Sequence, residues 1–458
     1  MQKPLSLLLL LTFLNLSLTS CARFQNRPIN PAQSALAHEA RTLASKDLRD
    51  FINTVLVRTS NAVIQHWTLD ELSLAAFYYH PDLALARAQE ASSVAAITTA
   101  GQSPNPSITI TPTWIRNLAT AAVPWIAASS FSIPIETAGK RDFRIDKATH
   151  LKEAASLRIA DVAWLVRNRL HLAVIEVFAA QQTARLLQQQ LAIQTAINQH
   201  LEQQAILGEL SQLEVTRGRL AAQQLQLNQD AAQKRYAESR VALATAIGIP
   251  VQGLHNIDLD LTTLSEPPDL QAIAVSKLKE QALRHRPDLL AALADYAAAQ
   301  SALQLEIANQ YPNIQANPGY AWEMGEHRWT LGATLLLPIL HQNQGAIAEA
   351  EAKRDELAVR FEALQLRILG DIERAQAGLQ PLLAKWQQAQ LQQHLQQKNR
   401  HMAEALLKAG EIDQLALLTV ELENTLTDKS RLDVLLETQI ALAGLEDSLR
   451  IPLGGHSH

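Results

Sequence analysis

The chain is written twice. His80-Pro81-Asp82-Leu83 returns as Arg286-Pro287-Asp288-Leu289, and Pro106 returns as Pro312, both at an offset of 206 residues. Phe131-Ser132-Ile133-Pro134-Ile135 returns as Leu335-Leu336-Leu337-Pro338-Ile339 at an offset of 204. Leu207-Gly208-Glu209-Leu210-Ser211-Gln212-Leu213 returns as Ala409-Gly410-Glu411-Ile412-Asp413-Gln414-Leu415, and Ile249-Pro250 as Ile451-Pro452, both at 202. The landmarks keep their order and drift by only a few residues, which marks a tandem duplication. Each half must then fold as one copy of a single structural unit.

The unit opens with a helical pattern, from about Thr68 to Gly101 in the first half and from about Asp269 to Gln310 in the second. Thr68 followed by Glu71 predicts a capping box at its start. Two short alternating runs follow: Ser107–Thr111 and Ser129–Ile133, then Asn313–Ala316 and Trp329–Leu335 in the second copy. Pro134 and Pro338 lack the N–H a ladder needs, so each should end or kink its strand. Four of the seven tryptophans, Trp114, Trp125, Trp322 and Trp329, flank these runs. Aromatics at strand ends suit a membrane interface; a soluble hairpin with aromatic packing is the alternative.

Long helices then take over. Between Arg141 and Ile206 there is neither proline nor glycine, and Ile159, Ala163, Val166, Leu170, Ala173, Val177, Ala180, Ala184, Leu187 and Leu191 form a heptad seam. Such a helix is a rod on the order of 100 Å long. Gly208 breaks it, and a return helix runs from about Ser211 to Ile247; the second copy runs from about Gly345 to Leu407, breaks at Gly410, and returns from Asp413 to Leu449. Each copy therefore sets a pair of strands far from a hairpin tip. Four strands cannot close a barrel, so strands entering a membrane would require several copies of the chain.

Cys21 is the only cysteine. It follows Lys3, an apolar run from Leu5 to Leu18, and Leu18-Thr19-Ser20, which resembles a bacterial lipoprotein signal in which the cysteine becomes the acylated first residue. An ordinary signal peptide with an incidental cysteine is the alternative. Ala22 in the next place implies, by that resemblance, delivery to the outer membrane. Past the signal no apolar run is long enough for a transmembrane helix. A net charge of −5 with a pI near 6.3 argues against a nucleic-acid partner. With no second cysteine the fold rests on packing alone.

Taken in order, these features resemble the TolC-like outer-membrane efflux proteins. Trp67-Thr68-Leu69-Asp70-Glu71-Leu72 with Pro81-Asp82-Leu83 resembles the family's opening helix. Pro134-Ile135 with Gly139-Lys140-Arg141, and Pro338-Ile339 with Asn343-Gln344-Gly345, resemble its two strand-to-helix passages. Gly208 and Gly410 resemble its two hairpin tips. The resemblance implies a mainly α fold with a small β part: tandem long helical hairpins forming a trimeric α-barrel, with four strands per chain completing a shared twelve-stranded outer-membrane β-barrel. It implies the outer-membrane channel of a tripartite pump, partnered by a periplasmic adaptor and an inner-membrane transporter of the RND type. Heavy-metal ions are the first expectation for cargo. The tip residues Gly208, Glu209, Ser211, Gly410, Glu411 and Asp413 become the adaptor-docking candidates. Where well-known members place gating aspartates after the second tip, this chain has Ala416 and Thr419. The gate is therefore expected at Glu214 or Asp413.

The expected organisation is a signal at 1–20, an extension at 21–66, a first repeat at 67–250, a linker at 251–268, a second repeat at 269–452 and a tail at 453–458. Extension and linker should supply the belt around the helices. No metal-ligand pair at helical spacing, phosphate loop or nucleophile motif stands out, so the chain reads as neither an enzyme nor a cofactor carrier. His456 and His458 are too few for a metal site. The remaining alternative is a periplasmic coiled-coil lipoprotein without channel activity.

Overall fold

The structure is a computed structural model describing residues 22–57, 66–116, 125–255, 257–268, 275–323 and 325–453. Helices α1 (Pro31–Glu39) and α2 (Lys46–Val55) lead to strand β1 (His66–Trp67). The first repeat supplies α3 (Leu69–Tyr79), α4 (Pro81–Ala100), β2 (Ser107–Trp114), β3 (Trp125–Ile135), α5 (Lys140–Ile206) and α6 (Gln212–Ile247). After β4 (Asp258–Leu259) the second repeat supplies α7 (Val275–His285), α8 (Pro287–Ala308), β5 (Ile314–Glu323), β6 (Glu326–Leu335), α9 (Gln344–Ala409) and α10 (Gln414–Leu449).

The opening helix expected over 68–101 is two helices, a correction that repeats in the second half. The break falls at His80, which ends α3 in extended conformation and caps α4 through Nδ1, with Pro81 as the first helical residue. Between α7 and α8 Arg286 is likewise extended and Pro287 is the first helical residue, but the Arg286 side chain does not cap the helix. Proline fits the first turn of a helix but removes a bond from any helix reaching it. The Thr68–Glu71 capping box is present, with both reciprocal bonds formed.

The long helices lie side by side in the order α6–α5–α10–α9, with α4 and α8 packed on α5. Helix α5 has 67 residues, a length of about 100 Å at 1.5 Å per residue. Its seam is buried at Val166, Leu170, Val177, Ala180 and Leu187 and half-buried at the other named places. Pro381 lies inside α9, and no helix of the described residues is long and apolar enough to cross a membrane.

Part-way along the helices the extension and linker wrap the bundle. Strand β1 pairs in parallel with β4, and Leu43, Leu48, Ile52 and Trp67 bury against Leu170 and Leu243. The Gln439 amide donates to the carbonyls of Leu264 and Glu266, tying the linker to α10.

Each repeat closes at a joint where its return helix meets the break in its opening helices. In the first, Gly248 ends α6 at φ +89 against the carbonyl of Tyr79, and Arg41 of the extension donates to Tyr79 O (3.0 Å) and Gly248 O (2.9 Å). In the second, Arg450 takes the place of Gly248 at φ +57 and pairs with Asp161 (3.2 Å) and Asp447. There Arg286 chelates Asp288 through two bonds of 3.0 and 2.6 Å and donates to Ser448 O. Burial pushes the Asp161 carboxyl up, against the pull of Arg450. Burial would also raise Glu446, but hydrogen bonds from His171 and the Leu453 amide hold it below the usual carboxylate range.

A Cβ on Gly248 would lie 3.0 Å from Tyr79 O, whereas one on Gly410 meets nothing within 4 Å. Both residues have positive φ, so alanine strains each backbone, but only Gly248→Ala also meets a steric wall. We expect Gly248→Ala to cost roughly 1–3 kcal/mol and Gly410→Ala less. Thermal unfolding followed by circular dichroism checks the order.

Candidate channel wall and docking tips

The four long strands form one antiparallel sheet in the order β2–β3–β5–β6. Its registers fix the two faces, because side chains alternate along each strand. Ile108 lies opposite Phe131, Trp114 opposite Trp125, Ala127 opposite Trp322, Ile135 opposite Ile314, and Ile314 opposite Leu335. One face is thus Ile, Leu, Phe, Trp and Ala with few exceptions. The other pairs Thr109 with Ser130, Ser130 with Gly319, Asn317 with Gly332 and Gln315 with Thr334. On that face Asn317 donates to Thr334 Oγ1 at 2.8 Å. Its only charged side chains lie at the β5–β6 turn, where Arg328 pairs with Glu323 at 2.8 Å and lies 3.8 Å from Glu326. A sheet apolar on one side and rich in hydroxyls and amides on the other can be a wall between lipid and water.

The strands are longer than the alternating runs suggested, with 8, 11, 10 and 10 residues. Pro134 sits inside β3 rather than ending it, paired with Gln315, while Pro338 lies past β6. Pro112 is tolerated because β2 is an edge strand. At Pro318 the β3–β5 ladder is interrupted between Ser130–Gly319 and Ile133–Ala316.

The four tryptophans gather at the end of the sheet away from the helices. Trp114 and Trp125 meet edge to face at 4.6 Å, and Trp329 lies 4.9 Å from Tyr320. Trp322 is half-buried and Trp329 is exposed. The strands carry no matching tryptophan cluster at the helix end.

At the opposite pole the two tips turn on glycines with φ +78 (Gly208) and +73 (Gly410), and the amides of Glu209 and Glu411 close the helices onto Gln204 O and Leu406 O. Glu209 and Glu411 are exposed. Ser211 and Asp413 cap the return helices through Glu214 N (3.4 Å) and Ala416 N (2.8 Å). Glu214 also forms an ion pair with Arg217 at 2.6 Å, whereas Asp413 forms none among the described residues. Next to its glycine the first tip exposes Ile206 and Leu207, where the second tip has Lys408 and Ala409.

Cys21, His456 and His458 lie outside the described residues. Among the described residues no group of three or more His, Cys, Asp or Glu is placed to hold a metal ion. Sequence reasoning missed Arg41, Arg286 and Arg450. The substitution of arginine for His80 and Gly248 in the second copy was the available signal for the last two; Arg41 left none.

The chain thus sets a thin two-faced sheet on helices about 100 Å long. The structure superposes on the outer-membrane protein VceC of Vibrio cholerae with a TM-score of 0.66 at 17% identity, covering 83% of this chain and 95% of that one. For CusC the TM-score is 0.64 at 16% identity, covering 93% and 99%. For the CmeC channel of Campylobacter jejuni it is 0.66 at 14%, covering 94% and 93%. No family model matches the sequence.

Curated relatives are the cobalt-zinc-cadmium resistance protein CzcC of Cupriavidus metallidurans and the pyoverdine export outer membrane protein OpmQ of Pseudomonas putida. CzcC is 25% identical over 50% of this chain and 55% of its own length, and OpmQ is 26% identical over 52% and 54%. The chain thus spans about half the length of these two relatives. In sequence likeness and in fold the chain stands with the TolC-like outer-membrane efflux proteins, and not among enzymes.

Proposed function

We propose that the protein is the outer-membrane channel of a tripartite efflux pump, working as a homotrimer whose four-stranded sheets close into one twelve-stranded barrel. The observation that carries this reading is the two-faced sheet with both edges open. Unpaired N–H and C=O groups along β2 and β6 cannot face hydrocarbon, so a sheet with a lipid face must close on further copies. The outer helices support the same reading. On α6, Leu213, Leu220, Leu227 and Val241 are exposed at heptad spacing, and α9 exposes Leu391, Leu395, Met402 and Leu406. Such stripes fit coiled-coil packing between neighbouring copies.

Conductance in planar bilayers tests the channel. A coiled-coil lipoprotein without channel activity would not conduct. The face assignment sharpens the test: Leu331→Arg, on the apolar face, should cost about 2–4 kcal/mol and deplete the protein from the membrane fraction. Thr330→Arg, on the polar face, should leave insertion intact and alter the current. Equal effects of the two would sink the wall assignment, and a monodisperse monomer in mild detergent would sink the trimer.

We place the docking of a periplasmic adaptor, and through it of an RND-type transporter, at the Gly208 and Gly410 tips. We take cobalt, zinc and cadmium ions, the metals named for CzcC, as the cargo. Replacing either tip glycine by valine should abolish growth on salts of these metals while trimers still form. Full resistance in both variants removes the tips as the contact; resistance unchanged by deleting the gene removes the cargo.

Acylation at Cys21 would hold the extension at the membrane surface. Mass spectrometry of the mature N-terminus should find a lipid-modified Cys21; any other N-terminal residue refutes it.

A further inference from the structure

The strand registers obey the duplication. Trp114 pairs with Trp125 in the first repeat, and the equivalent residues Tyr320 and Trp329 pair in the second. Ile108, Pro112 and Trp114 of β2 correspond to Ile314, Pro318 and Tyr320 of β5 at the 206 offset; Trp125 and Phe131 of β3 correspond to Trp329 and Leu335 of β6 at 204. One difference stands out. Strand β3 continues through Ile133, Pro134 and Ile135, which pair with Ala316, Gln315 and Ile314 of β5. The equivalent residues Leu337, Pro338 and Ile339 lie beyond the end of β6 without a strand partner. Leu336, Leu337 and Ile339 are 80%, 64% and 78% exposed.

The cause is topological. Strand β3 has a neighbour on each side, whereas β6 has β5 on one side and an open edge on the other. The equivalent of β5 that would complete β6 is a β2, and this chain's own β2 lies at the opposite edge. It must come from a second copy.

We propose that Leu336–Ile339 is the unformed end of β6, which becomes strand only on pairing with β2 of a neighbouring copy. The repeat offsets carry the β3–β5 register onto that interface. Ile339 then faces Ile108 of the second copy, Pro338 faces Thr109, and Leu337 faces Ile110. The ladder skips at Pro112, as it does at Pro318, and resumes with Thr334 facing Thr113 and Ala333 facing Trp114. The register keeps the faces in phase, so Leu337 and Ile339 join Ile108, Ile110 and Trp114 on the apolar side. A slip of one residue in either direction would set Leu337 and Ile339 opposite the hydroxyls of Ser107, Thr109 or Thr111.

This rests on the closed-barrel reading, and disulfide trapping separates the two. Opposite residues of an antiparallel pair have Cα atoms about 4.5–5.5 Å apart, within the reach of a disulfide, while diagonal neighbours two residues away are about 7–8 Å apart. Two in-register variants, Leu337→Cys with Ile110→Cys and Ala333→Cys with Trp114→Cys, should oxidise to covalent dimers and trimers on denaturing gels. The off-register variant Leu337→Cys with Ile108→Cys should give several-fold less product, and the natural chain none. Equal or greater product from the off-register variant overturns the register. If neither in-register variant cross-links while light scattering still reports a trimer, the strand pairing is overturned and the trimer stands. A monomer overturns both.

Discussion

An antiparallel sheet with unpaired backbone on both edges is unfinished. In water, solvent can satisfy those groups, but beside an apolar face it cannot. In this chain the apolar face spans all four strands, from Ile108 and Trp114 through Phe131 and Ile314 to Leu331 and Leu335, while β2 and β6 stay open. The long helices repeat the pattern, with α5 and α10 inside and α6 and α9 carrying apolar stripes outward. In sheet and bundle alike the outer members, β2 and β6, α6 and α9, have a neighbouring long strand or long helix on one side only.

Much of this was legible because the duplication supplied each signal twice. The tips announced themselves through Gly208 and Gly410, both of which adopt positive φ. The Thr68 cap forms as its spacing to Glu71 suggests. Strand extents were less legible. Alternation is short-range, and Asn317, Pro318 and Gly319 depress strand propensity although neighbouring strands still hold them in the sheet. The breaks at His80 and Arg286 were missed although Pro81 and Pro287 marked them, since a proline in the first turn leaves an apolar pattern continuous across the gap.

The joints show how far two copies of one unit can diverge. Asp82 and Asp288 are equivalent, yet Arg286 chelates the latter from its own joint, while Arg169 of α5 reaches the former at 2.9 Å. Burial lowers the pKa of His80, the counterpart of Arg286, so the first joint lacks the fixed positive charge of the second at that place. Arg41 brings one from outside the repeat. No pattern within one repeat predicts such a loan, because the donor lies 207 residues from Gly248.

That distance has a consequence for synthesis. The extension is made before the first hairpin, yet its arginine has no complete docking place until that hairpin has been made and folded back. Closing so long a loop carries an entropic cost that local helix formation does not, so the strap should dock late. Until then Leu43, Leu48 and Ile52 remain uncovered, a marker by which a half-finished subunit differs from a finished one.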